Sequence, residues 1–181
     1  MIGREKRTWL TNLVNYKFGQ LQLPSAPYYG NITGNMKKPS VLLDTNILVA
    51  GLSSRNGASF QLLRHCFDGK FEIVASVPLW LEYETTLKRA EIRKMHGLSV
   101  RDIDDLLNNL AVAVRPTALH YLWRPQLSDP GDEMVLETVL NGAADALVTF
   151  NIGDFKPAAD RFGLKLLRPA DFLNTLKRSK P

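Results

Sequence analysis

Five short apolar runs, spaced along a 181-residue chain, constrain its fold more than any other feature. They are Val41 to Leu43, Phe71 to Ala75, Ala111 to Val114, Ala146 to Thr149 and Leu164 to Leu167. Most of the intervals carry helical spacing. An apolar stretch runs on through Leu52, and Phe60, Leu62, Leu63 and Phe67 lie on one repeating face. Leu79 to Lys94 reads as a helix with Pro78 in its first turn, where proline is tolerated. Ser99 and Asp102 form a helix-start signal for Val100 to Leu110. Asp132 to Asn141 and Pro169 to Leu176 complete the helices, while the segment holding Asn151 and Asp154 reads as a loop. Short apolar strands alternating with helices imply an α/β protein, a three-layer α/β/α sandwich around a mainly parallel sheet.

Composition agrees with a folded chain, at 45% hydrophobic and 23% charged residues. No run approaches the roughly 18 apolar residues of a membrane helix, and the first 30 residues lack a secretory apolar core, so no membrane partner is expected. The single cysteine, Cys66, excludes an internal disulfide and a multi-cysteine zinc site, which fits a reducing, cytoplasmic location. The formal net charge is +5, but Arg4, Lys6, Arg7 and Lys17 stand against Glu5 alone within residues 1–35. The remainder is almost neutral, so basicity by itself does not identify a nucleic-acid partner. Residues 1–35 read as an N-terminal tail with one short helix near Thr8 to Phe18, and residues 36–181 as the folded domain. Met36, just before the first strand, is a second candidate for the biological start.

In an open parallel sheet, ligands bind beyond the carboxyl ends of the strands. Asp44 ends the first apolar run, Asp154 follows the fourth, Asp132 starts the helix before it, and Glu82 lies early in the helix after the second. Four carboxylates from four segments can therefore meet at one sheet edge. Converging carboxylates repel, and a hard divalent cation such as Mg²⁺ or Mn²⁺ relieves that repulsion through oxygen ligands. Without a cysteine or histidine cluster, zinc is disfavoured.

These residues sit in motifs that resemble the PIN-domain nucleases, in particular the branch assigned to toxin components of bacterial toxin–antitoxin systems. The motifs are Val41-Leu42-Leu43-Asp44-Thr45-Asn46, Ser76 to Glu84, Asp129-Pro130-Gly131-Asp132-Glu133 and Leu147 to Phe155, within a likeness spanning about Pro39 to Leu173. The resemblance implies a PIN-like α/β/α fold and Mg²⁺- or Mn²⁺-dependent hydrolysis of RNA phosphodiester bonds. It implies that Asp44, Glu82, Asp132 and Asp154 are the catalytic, metal-binding acids, and that Thr45 or Asn46 supports Asp44 by hydrogen bonding. Position 151, where relatives often carry another Asp, is Asn151 here, which keeps a ligand oxygen but loses a charge. The resemblance also implies a small antitoxin protein as partner and a homodimer.

Plainer readings stand beside these. Asp44 also suits a helix cap, Glu82 a solvated helix residue, and Asp132 and Glu133 a helix N-terminus. Asp129 reads as a turn residue and is the alternative to Asp132 for the site. Glu84 reads as a surface group and is the backup to Glu82, Asp145 reads as a surface group and Asp154 as a cap. His65, His96 and His120 lack metal spacing, and Cys66, Trp80 and Phe155 read as core. Arg89 and Arg93, one turn apart, are candidates for RNA phosphate contact or for pairing with nearby acids. The rival functions are a catalytically weak or inactive PIN-like module that binds nucleic acid or regulates, and a phosphoryl-transfer enzyme using Asp44 as nucleophile. The second lacks the acid it needs two positions on, where Asn46 stands.

Overall fold

The structure, a computed structural model, describes residues 38–178. The expected tail, the helix read near Thr8 to Phe18 and the alternative start at Met36 lie outside them. Strand β1 (Ser40–Leu43) leads into helix α1 (Thr45–Ser53), and α2 (Ala58–Phe67) into β2 (Glu72–Ala75). Then come α3 (Val77–Lys88), α4 (Ala90–His96), α5 (Val100–Ala111), β3 (Val114–Pro116) and α6 (Glu133–Asn141). The chain finishes with β4 (Ala146–Val148), α7 (Ile152–Phe162), β5 (Leu166–Leu167) and α8 (Pro169–Arg178).

The five strands pair in parallel in the order β3-β2-β1-β4-β5. This is the expected α/β/α architecture. The chain builds outward from β1 on one side and then crosses to add β4 and β5 on the other. A crevice therefore opens beyond the ends of β1 and β4, where the direction of winding reverses. Register puts Leu43 opposite Val148, so Asp44 and Thr149 are the first residues past the paired ends.

All four β1 side chains are buried, as a strand covered on both faces demands. Val41, Leu42 and Leu43 pack with Ile47, Leu48, Ile73, Leu79, Tyr83 and Phe155 in one core. Tyr83 is fully buried, and its hydroxyl donates to the Leu43 carbonyl at the end of β1. Gly142, closing α6, has no room for a side chain, because a Cβ there would stand 2.3 Å from Val74 Cγ1. The close approach brings the end of α6 against β2.

Several expectations need correction. The long helix over 79–94 is two helices, broken at Arg89, whose extended backbone (φ −58°, ψ 140°) ends α3 and starts α4. The third strand forms at Val114–Pro116 rather than 111–114, because Ala111 still belongs to α5. It is an edge strand, where proline is allowed. The segment after Asn151 is a helix, α7, not a loop, so Asp154 stands in a helical first turn. The last strand is shorter than expected, at Leu166–Leu167. The capping box at Ser99 and Asp102 is present as read, and His96 is a satisfied core histidine bonded to the Leu87 carbonyl and the Leu98 amide.

Candidate active site

Beyond the ends of β1 and β4 lies a cleft of about 770 Å³, lined among others by Asp44, Glu82, Asp132, Asp129 and Asn151. Three helix N-termini point into this region, since Asp44, Asp132 and Asn151 are the N-cap residues of α1, α6 and α7. Their free amide ends favour negative charge, whether side-chain carboxylate or an incoming phosphate.

Asp44 is buried and held on several sides. Thr149 donates its hydroxyl to Oδ2 at 2.5 Å, and the Asn46 amide donates to the same oxygen at 2.7 Å. The Asn46 N–H reaches Oδ1 at 3.5 Å, so Asp44 also caps α1. Thr149 is fully buried and its oxygen accepts the Asn151 N–H at 2.9 Å, which leaves its single proton for Asp44. Burial pushes the Asp44 carboxyl above the usual range, and these hydrogen bonds partly offset the rise.

The expectation that Thr45 or Asn46 supports Asp44 divides cleanly. Asn46 does, whereas the Thr45 hydroxyl donates to Glu82 Oε1 at 2.8 Å. Asp132 is only partly buried and makes no side-chain cap bond. Its carboxyl is raised to about 6 by loss of solvent and then by the charges of Asp44, Asp129, Asp154 and Glu82. No ion pair among the described residues reaches Asp44, Glu82 or Asp132. Among the described residues, the negative charge of the cleft thus has no ion-pair partner.

Asp44, Glu82 and Asp132 are brought together. Asp154 is exposed and outside the cleft lining, on the first turn of α7, close enough for its charge to act on Asp132. Of the two arginines, Arg89 lines the cleft, whereas Arg93 is half-buried and turns its Nε toward the Leu98 carbonyl at 3.4 Å. Two further contributors join them, one the alternative to Asp132 in the sequence and one the sequence reading missed. Asp129 lines the cleft, although its Oδ1 also makes the turn bond to the Gly131 N–H at 2.8 Å. Thr149, read as the end of a strand, orients Asp44; its signal was a hydroxyl residue directly after an apolar run.

A family model of the PIN domain matches residues 40–153, more than half of the chain. The chain belongs to the PIN domain family. PIN domains are generally nucleases, hydrolases of phosphodiester bonds, and the matched span contains Asp44, Glu82 and Asp132 but stops just before Asp154. A comparison with curated proteins found no match. No helix among the described residues is long and apolar enough to cross a membrane.

Proposed function

We propose that this PIN domain is a divalent-metal-dependent endoribonuclease, with Asp44, Glu82, Asp132 and Asp154 as its acidic set. The observation that carries the reading is a cleft of carboxylates, drawn from separate segments, with no ion pair to a basic side chain among the described residues. The donor chemistry suits a hard cation: carboxylates and the Asn151 amide, all oxygen. Among the described residues no three His, Cys, Asp or Glu side chains close on a single point. Mg²⁺ and Mn²⁺ are commonly held through one or two carboxylates, with water filling the other positions. When bound, such an ion acidifies water and offsets charge developing on the phosphate.

The protein's own groups do the rest. Thr149 and Asn46 fix the Asp44 carboxylate, and Thr45 orients Glu82. Arg89, exposed at the rim, offers a guanidinium to an RNA phosphate. We extend the reading to a cytoplasmic toxin of a toxin–antitoxin pair, its cleft covered by a small antitoxin and its domain dimeric. The motif likeness supports this part.

The test incubates the purified chain with single-stranded RNA and Mg²⁺ or Mn²⁺, with EDTA as control. Asp44→Asn should lower cleavage by roughly 10³-fold, the scale of several kcal/mol of lost charge stabilisation. Cleavage that survives EDTA, or an equally active Asp44→Asn variant, would sink the mechanism. A second reading, a weakly active module that binds RNA, is favoured by Asn151 in place of a fifth charge. It expects RNA binding with little or no metal-dependent cleavage.

A further inference from the structure

Residues 117 to 132 join β3 to α6 with no helix or strand of their own, a length at which a connection usually has a task. Three side chains of α6, spaced four residues apart and so on one face, pin this segment down. At the far end Asn141 Oδ1 accepts the N–H groups of His120 and Tyr121, both at 3.0 Å. One turn nearer the cleft, Glu137 takes Arg124 in a two-pronged contact, Nε and Nη2 each at 2.8 Å. At the first turn, Glu133 Oε1 accepts the N–H groups of Gln126 at 2.5 Å and Leu127 at 2.9 Å. The order of contacts is antiparallel. The segment is therefore laid along the helix toward its N-terminus, and the next acids in the chain are Asp129 and Asp132.

Glu137 is 0% exposed and Glu133 2%. Carboxylates are costly to bury unless hydrogen bonds and a counter-charge compensate them, so two of them here serve a specific purpose. The Arg124 side chain is half in solvent, and its planar fork fixes both direction and distance from Glu137. Asp132, by contrast, has no side-chain cap bond to hold it. Its position is inherited from the backbone on either side, and on the upstream side that backbone is the pinned segment.

We infer that Glu137, with Arg124, is a positioning residue that sets where Asp132 stands in the cleft; Glu133 completes the clamp. The inference rests on the reading of the cleft as a cation site. Neither Glu137 nor Arg124 lines the cleft, so their effect must pass through Asp132.

The experiment measures Mn²⁺ binding by calorimetry on the full chain. Glu137→Gln and Arg124→Lys are placed in the wild-type and in the Asp132→Asn background. Amide hydrogen exchange at Gln126 and Leu127 is followed in parallel. Each variant should weaken Mn²⁺ binding by about 10-fold in the wild-type background, the scale seen for groups that orient ligands. In the Asp132→Asn background neither should weaken it further, because the residue they act through is already disabled. Exchange at both amides should rise in Glu137→Gln. Equal losses in the two backgrounds would mean a general structural role and overturn the inference, as would unchanged binding alongside faster exchange. A wild type that binds no Mn²⁺ brings down the cation reading and the inference with it. That outcome differs from failure of the inference alone, in which wild type and variants bind alike. Should Glu137→Gln fail to fold, Arg124→Lys carries the same expectations from the solvent side of the pair.

Discussion

Asp44 and Asp132 face one cleft, yet Asp44 is gripped by Thr149 and Asn46 while Asp132 has no side-chain cap bond. The difference follows from where each sits. Asp44 follows the central strand, whose neighbours β2 and β4 fix it on both sides, and Thr149 is its counterpart at the end of β4. Asp132 comes at the end of the 117–132 connection, and loss of solvent, followed by its neighbours' charge, raises its carboxyl to about 6. One acid is built into the sheet; the other is delivered to it.

Breaking the grip on Asp44 should have the larger effect. Thr149→Val keeps the shape and deletes the donor, leaving the Asn151 amide and Asp44 each short of a partner. It should lower Mn²⁺ affinity by about 10- to 100-fold, measured by calorimetry. It should also cost about 1–3 kcal/mol of stability, measured by urea unfolding. Retained affinity would mean that Asp44 does not depend on this hydroxyl.

A smaller effect of opposite sign is expected at Asp132. Its folded carboxyl binds a proton more tightly than it does in the unfolded chain, about 6 against 3.8. Stability of the metal-free protein therefore falls as pH rises from about 4 to 6, and the penalty persists above that window. Asp132→Asn removes the penalty. In EDTA at pH 7 it should be more stable than wild type by about 1 kcal/mol, a figure reduced for its partial exposure to solvent. Near pH 4 the two should unfold together. Thermal unfolding at both pH values reads the result, and equal stability at pH 7 would remove the case for repulsion at this acid.

The least effect belongs to the rim. Arg89→Gln should raise KM for RNA by a few-fold, leave kcat in place and shallow the salt dependence, the pattern of one lost phosphate contact. A fall in kcat instead would move Arg89 into the chemistry.

Much of this arrangement was legible in the sequence, for uneven reasons. Strands β1, β2 and β4 are buried on both faces apart from Glu72 and read as short, mostly apolar runs, so the acids beyond them could be found from the chain alone. The capping box of α5 was written in Ser99 and Asp102. Helix α7 was hidden because Pro157 interrupts it, although Phe155, Ala158, Ala159 and Phe162 keep helical spacing. The break at Arg89 carries no glycine or proline to announce it. Edge strand β3 contains Arg115 and Pro116, which look unlike a strand because one side of it has no partner. The clamp of α6 on residues 120 to 127 was beyond reach: Glu133 and Glu137 look like surface acids until the connection folds over them.

The strand order has a consequence for how the protein comes into being. Asp44 and Glu82 belong to the half-sheet made first, and Asp132 and Thr149 come with the half made last. A ribosome must deliver nearly the whole domain before the two halves can dock, so no shorter nascent chain holds the complete pocket.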